Sequence, residues 1–179
     1  MIGRRKLIGV GLGLAGSFSA APAAMAFAPP TRRLAFDNLH TGETLDVAYF
    51  ENGAYVGDAL AAVNHVLRDY RTGDVHVIEP KLLDLLTTLS ASLGATARIG
   101  VISGYRSPKT NALLHKESGQ VASGSLHMQG QAIDIRIPGV DTARLRDAAQ
   151  RLAIGGVGYY PTSEFVHVDV GRVRRWEGA

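Results

Sequence analysis

The chain has 179 residues and no cysteine, which excludes disulfide bonds and thiolate metal ligands. Its formal net charge of +3 comes from Arg4, Arg5 and Lys6, because removing residues 1–26 takes away three of the 19 basic residues and leaves 16 against 16 acidic ones. A balanced charge gives no support for a nucleic-acid-binding surface, so we expect no nucleic-acid partner.

The N-terminal segment, residues 1–26, has the composition of an export signal. The basic cluster precedes an apolar, glycine-rich run that extends to about Ala21, and Ala24-Met25-Ala26 provides the small residues of a cleavage site. Adjacent arginines before a mildly apolar run are typical of the twin-arginine route, which predicts export to the periplasm. The run is short for a membrane span, so no transmembrane segment is expected in the mature chain. Retention of the signal as an anchor is the alternative.

One domain is expected to follow the signal, because the remaining 153 residues show no internal repeat or change of composition. Residues 27–33 contain two prolines and predict an extended leader, so the domain is expected to span residues 34–179. From Leu34 to Tyr55, turn signals at Thr41-Gly42-Glu43 and Asn52-Gly53 predict short antiparallel strands.

Helices and strands alternate along the rest of the chain. Helices are predicted where apolar residues recur every three or four positions, from the cap Asp58 to about Arg71, from Pro80 to Gly94, from Ser107-Pro108 to about His115, and from the cap Asp141 to about Ala153. Strands are predicted for Arg98 to Ser103, Ala132 to Ile137, Val157 to Tyr160 and Phe165 to Val170. The basic residues Arg172, Arg174 and Arg175 are expected at a solvated chain end.

Three residues, His127, Asp134 and His167, have the chemistry and placement of metal ligands. Asp134 lies on the face of its predicted strand that is opposite to a row of isoleucines. His127 precedes that strand across a turn at Gly130, which allows imidazole and carboxylate to converge. Two imidazoles and one carboxylate leave a fourth zinc position open for water, as in hydrolytic sites.

Two carboxylates near His167 are candidates for the general base. Glu164 can turn its carboxylate toward the attacking water only if a loop or bulge separates Ser163 from Phe165, because strict strand alternation would point it away from His167. Asp169 shares a strand face with His167. It is the alternative base, but it could instead support His167 by a hydrogen bond, bind an arginine, or join the metal directly.

Three segments resemble the signature motifs of a known family. They are Ser103-Gly104-Tyr105-Arg106-Ser107-Pro108, the pattern Ser-x-His-x-x-Gly-x-Ala-x-Asp from Ser125 to Asp134, and Glu164-x-x-His167. These motifs are similar to those of the D-Ala-D-Ala metallopeptidases related to lysostaphin and hedgehog. Within that family the chain most resembles the YcbK (MepK) group of exported murein endopeptidases.

The resemblance implies an α+β fold in which a small antiparallel sheet, flanked by helices, carries one zinc ion on His127, Asp134 and His167. It places Glu164 at the position of the general base. Arg106 matches the arginine that polarises the scissile carbonyl or holds a substrate carboxylate.

The implied function is zinc-dependent hydrolysis of peptide bonds in peptidoglycan stem peptides, with cross-link cleavage as the expected reaction. A D,D-carboxypeptidase and a noncatalytic, zinc-stabilised wall-binding module are the alternatives. Tyr105, Ser125 and Tyr159 are expected to line the cleft, although packing or turn roles are equally compatible with their positions. The protein is expected to be a monomer.

Overall fold

The computed structural model describes residues 30–95, 98–118 and 121–178. The predicted export signal, residues 1–26, and the first part of the predicted leader, residues 27–29, lie outside these ranges. None of the helices within them is long and apolar enough to span a bilayer.

The described residues form strands and helices in mixed order. The strands are β1 (Arg32–Asn38), β2 (Thr44–Glu51), β3 (Ala54–Tyr55), β4 (Ile99–Ser103), β5 (Ala132–Arg136), β6 (Gly156–Tyr160), β7 (Phe165–Asp169) and β8 (Arg174–Glu177). The helices are α1 (Gly57–Val66), α2 (Pro80–Leu93), α3 (Pro108–Ser118) and α4 (Thr142–Leu152), with a short 3₁₀ helix at Leu126–Gln129. Strand β1 begins two residues before the expected start of the domain at Leu34.

All eight strands of the described chain belong to one sheet, in the order β3-β2-β1-β4-β5-β7-β6-β8. Neighbouring strands are antiparallel except for β1 with β4 and β6 with β8, which are parallel. A parallel pair requires a long crossover, and α1 and α2 provide it between β1 and β4. The fold is therefore α+β, as expected, but its sheet is mixed and larger than the small antiparallel sheet that was predicted.

The core lies between the sheet and helices α2 and α4. Leucines of α2 and the isoleucines Ile133 and Ile135 of β5 are fully buried there. Local signals set the bounds of both helices: Pro80 occupies the first turn of α2, and Gly94 ends it with φ +62°. Asp141 caps α4 by accepting hydrogen bonds from two backbone N–H groups. The predictions for these two helices are confirmed.

Helix α1 differs from its prediction at both ends. Its N-cap residue is Val56, which makes no side-chain capping bond, so Asp58 lies in the first turn and is not the cap. The prediction that the helix reaches Arg71 is wrong, because α1 ends at Val66. There the Asn38 side chain donates a 2.9 Å hydrogen bond to the Val66 carbonyl, and the chain turns away. Helix α3, in contrast, extends to Ser118 and passes the predicted end at His115.

The C-terminal segment is an edge strand, β8, and the prediction of a solvated chain end is wrong for Arg174. The Arg174 guanidinium forms a 2.7 Å ion pair with the fully buried Asp169. Strand β8 lies close to β6 because Gly158 has no side chain: a Cβ there would stand 2.5 Å from the Trp176 ring. This strand therefore adds Arg174 and Trp176 to the region around β7.

Candidate metal centre

Strand pairing brings two of the predicted ligands together. Asp134 in β5 is the direct antiparallel partner of His167 in β7. Side chains of directly opposed residues lie on the same face with their Cβ atoms about 5 Å apart. The third ligand, His127, lies in the short 3₁₀ helix, which Ser125 caps at its N-terminus and Gly130 ends with φ +65°. Local turn chemistry thus directs the third side chain toward the pair.

The donor atoms of His127, Asp134 and His167 converge within a buried cluster. The separations are 3.1 Å between His127 Nε2 and His167 Nδ1, 2.9 Å between His167 Nδ1 and Asp134 Oδ1, and 3.2 Å between His127 Nε2 and Asp134 Oδ1. These residues are 2%, 5% and 7% exposed, in chain order. The described chain thus contains a three-residue group that can hold a metal ion.

The hydrogen bonds behind the histidines fix which ring nitrogens face the cluster. His127 Nδ1 lies 2.7 Å from the Gly104 carbonyl oxygen, and His167 Nε2 lies 3.0 Å from Asp169 Oδ2. Both oxygens accept, so each of these nitrogens carries the proton and the other nitrogen of each neutral ring presents a lone pair. Without a metal, a proton between His167 Nδ1 and Asp134 Oδ1 relieves the repulsion among these atoms: burial lowers the pKa of His167, but its hydrogen bonds to Asp134 and Asp169 outweigh burial and raise it. A bound cation would take the place of that proton. The donor set therefore fits a divalent metal.

Zinc suits this donor set in both type and spacing. In a tetrahedral zinc site, the histidine nitrogens and carboxylate oxygens lie about 2.0–2.2 Å from the metal. These donor atoms therefore lie about 3.3 Å from one another, which is close to the observed separations. The cluster borders a cavity of about 620 Å³ that is also lined by Ser125, Tyr160 and Trp176. One side of the cluster is therefore accessible to water and substrate.

Asp169 supports His167 from behind. Its carboxylate accepts hydrogen bonds from His167, from two nitrogens of Arg174, and from the backbone N–H groups of Gly156 and Gly171. Burial alone would raise the pKa of Asp169, but these donors outweigh it and lower the pKa. Since its acceptor positions are occupied, Asp169 can orient the ligand but has little capacity to take a proton from water.

Arg106 brings a weakly paired guanidinium to the cavity. Its closest polar contacts are long, at 3.4 Å to Ser103 Oγ and 3.5 Å to both Asn111 Oδ1 and Asp134 Oδ2, and its buried Nε has no hydrogen-bond partner within the described chain. Burial lowers the pKa of Arg106, Asp134 opposes that effect, and the positive charge of Arg71 adds to it. A group held this loosely can donate to a substrate oxygen.

Asp69, to which the sequence analysis assigned no role, fixes the loop that carries Arg106. Its buried carboxylate accepts hydrogen bonds from the backbone N–H and the hydroxyl of Ser107, at 2.9 and 2.7 Å, and from the backbone N–H of Arg71, at 3.0 Å. Burial would raise the pKa of Asp69, but these bonds and one from Thr110 lower it to about 2. The sequence contains a local signal for this residue, a turn-forming aspartate four residues before Gly73.

Glu164 does not line the cavity in this structure. It is exposed in a turn after β6 and has a left-handed backbone, with φ +53°. Its neighbours Ser163 and Phe165 both line the cavity. A turn therefore separates these neighbours, as the base hypothesis requires, but the Glu164 carboxylate is not brought to the metal ligands.

The other residues expected in the cleft have different positions. Ser125 lines the cavity and caps the helix that carries His127. Tyr105 does not line it and stacks on His76, with ring centroids 4.7 Å apart. Tyr159 also does not line it, and the Arg146 guanidinium lies 4.6 Å from its ring centroid.

Three aromatic residues that sequence reasoning missed line the cavity instead: Tyr160, Phe165 and Trp176. The Trp176 indole N–H donates a 3.0 Å hydrogen bond to the Tyr160 hydroxyl. Strand alternation could have separated Tyr160 from Tyr159, because successive side chains point to opposite faces. The role of Trp176 depends on β8, which was not predicted.

A buried two-histidine, one-aspartate cluster that opens into a cavity beside a guanidinium defines a metal-dependent hydrolase site on an α+β scaffold. A family model described as peptidoglycan L,D-endopeptidase MepK matches residues 26–176, and the chain belongs to this family. This family is the one that the three sequence motifs indicated.

Individual relatives are similar over nearly their whole length. The chain is 42% identical over 175 residues to peptidoglycan L,D-endopeptidase MepK of Escherichia coli strain K12, covering 97% of this chain and 96% of the relative. It is 41% identical to the probable peptidoglycan L,D-endopeptidase MepK of Haemophilus influenzae, covering 98% and 96%.

Proposed function

We propose that this protein is a zinc-dependent peptidoglycan endopeptidase that hydrolyses L,D cross-links between stem peptides. The observation that carries this proposal is the cluster of three converging donor atoms, in a chain of the MepK family. The proposal includes one zinc ion per chain, a monomeric protein, and export to the periplasm through the twin-arginine signal at residues 1–26.

His127, Asp134 and His167 would hold the zinc ion. When bound, zinc supplies a Lewis acid that makes water more acidic and polarises a carbonyl group. The Arg106 guanidinium stabilises the negative charge that develops on the scissile carbonyl oxygen. Its long contacts and its partnerless Nε support this role, because little existing hydrogen bonding is lost when a substrate oxygen arrives.

In our proposal, the Glu164 carboxylate accepts a proton from the attacking water. The protonated Glu164 then donates this proton to the departing amine. The occupied acceptor positions of Asp169 favour Glu164 over that residue. The hypothesis requires the turn after β6 to move the Glu164 carboxylate from the surface into the cavity. Both flanking residues already line that cavity.

Digestion of purified sacculi tests the proposal. The zinc-loaded protein should convert cross-linked peptide dimers into monomers, and a chelator should abolish the conversion until zinc is restored. Mass spectrometry of the products separates the alternatives, because release of free D-alanine would indicate a D,D-carboxypeptidase. Co-sedimentation with sacculi without any product would indicate a wall-binding module. His127→Ala, which removes a proposed zinc ligand, should release no product. The matched control is His65→Ala, which alters an exposed histidine of α1.

A further inference from the structure

A second lobe, lined in part by His40, Tyr70, Arg71 and Ser103, adjoins the metal-centre cavity. Its volume is about 340 Å³. Arg106 and Asp134 border both spaces, whereas the two histidine ligands border only the first. A substrate that spans the metal centre can therefore extend past Arg106 into the second lobe.

One of the two cations that border this lobe, Arg71, is held in place by stacking. Its guanidinium carbon lies 4.3 Å from the centroid of the Tyr70 ring. The Tyr70 ring also stacks on the His40 ring, and the two ring centroids are 3.9 Å apart. The Arg71 backbone is fixed by its hydrogen bond to Asp69. Stacking restricts the side chain but leaves the guanidinium N–H groups available to a ligand.

Positive charge in the second lobe is only partly balanced. Within residues 30–95, 98–118 and 121–178, the Arg71 guanidinium has no carboxylate partner, and Arg106 lies close enough to be affected by its charge. Asp134 is the one carboxylate among the described lining residues. Its Oδ1 faces the two histidines and its Oδ2 lies 3.5 Å from Arg106, so neither oxygen pairs with Arg71. An anion that enters the lobe would relieve the repulsion between the two guanidinium groups.

We infer that the second lobe binds a free carboxylate of the substrate peptide next to the scissile bond, with Arg71 as the residue that selects for it. This inference rests on the proposed function and specifies its substrate. In an L,D bond, the amine belongs to a D-centre that can carry its own free carboxylate, and the residue on the acyl side can carry another. Guanidinium groups recognise carboxylates through paired N–H donors.

Binding of non-hydrolysable peptides tests the inference without turnover. The probes are L,D-linked peptide dimers with a ketomethylene group replacing the scissile amide, in three forms: both flanking carboxylates free, the amine-side carboxylate amidated, or the acyl-side carboxylate amidated. Calorimetric titration of the zinc-loaded protein gives the Kd of each. Amidation of one position should weaken wild-type binding about tenfold, in line with a hydrogen bond to a charged group, and the sensitive position identifies the carboxylate.

The Arg71→Gln variant should bind the fully acidic dimer more weakly than the wild type does, by a similar factor. For the dimer that is amidated at the sensitive position, the Kd should change less than about twofold. Retained binding of that amidated dimer also shows that the variant is folded. Arg151→Gln, the same change at an exposed residue of α4, should alter neither Kd.

Equal Kd values for the three dimers on the wild type would overturn the inference. The inference would also be overturned if Arg71→Gln weakened the binding of the acidic and the amidated dimers by the same factor. If either result accompanies normal cleavage of sacculi, the proposed function stands and the subsite does not. Carboxylate-dependent binding without cleavage of sacculi would support the subsite and refute the proposed activity.

Discussion

Asp69 couples the stability of the active-site loop to pH. Its carboxylate is 2% exposed and accepts three hydrogen bonds from Ser107 and Arg71. An asparagine has one acceptor oxygen and presents N–H groups at the other position, so Asp69→Asn removes the negative charge and leaves at least one of these donors without its partner. We expect this variant to lose about 3 kcal/mol of unfolding free energy at pH 7.

The pH dependence follows from the pKa of Asp69, which is lowered from 3.8 to about 2. A carboxylate with a lowered pKa stabilises the fold above its unfolded pKa and loses that contribution as pH falls through its folded pKa. The contribution is about 2.4 kcal/mol at pH 5 and above, and about 0.4 kcal/mol at pH 2. The difference between wild type and Asp69→Asn should therefore shrink by about 2 kcal/mol between pH 5 and pH 2.

Urea unfolding of both proteins at several pH values measures this difference. Acid also protonates other groups, but their effects occur in both proteins and cancel if the sites are independent. Asp58→Asn, which removes the same charge from the exposed first turn of α1, is the control and should give a small, nearly constant difference. A difference for Asp69→Asn that does not change between pH 5 and pH 2 would refute the assignment of a lowered pKa.

Further variants test the proposed roles of single residues. Glu164→Gln should lower kcat on cross-linked peptide about a hundredfold or more; turnover within about tenfold of the wild type would mean that another group accepts the proton. Asp169→Asn should weaken zinc binding about 10- to 100-fold in competition with a chromophoric chelator, and unchanged affinity would show that it does not orient a ligand. Gly158→Ala places a Cβ 2.5 Å from the Trp176 ring. It should cost about 1–3 kcal/mol and shift the fluorescence of the single tryptophan, whereas Gly57→Ala, which has open space around it, should not; identical spectra would contradict the packing argument.

Features with local causes could be predicted from the sequence. Pro80 and Gly94 bound α2, and Asp141 caps α4, because each acts through its own backbone or that of the next turn. The metal ligands were also predictable: strand alternation placed Asp134 opposite the isoleucine row, and Gly130 allowed His127 to turn toward it.

Features with distant causes could not be predicted. Helix α1 ends at Val66, whose carbonyl accepts a hydrogen bond from the side chain of Asn38, 28 residues earlier in the chain. Strand β8 depends on contact between Gly158 and Trp176 and on the ion pair of Arg174 with Asp169, none of which leaves a periodic signal. The exposed position of Glu164 accompanies a local feature, its own left-handed backbone, but a non-glycine residue in that conformation leaves no signal in the sequence either.

Metal content measures the central claim most directly. Native mass spectrometry of the protein after zinc loading and removal of free metal should show one zinc ion per chain. His127→Ala should show none, because two remaining donors cannot complete the site, and the exposed-site control His65→Ala should keep the ion. A wild-type chain without zinc, or a His127→Ala chain that retains it fully, would contradict the account.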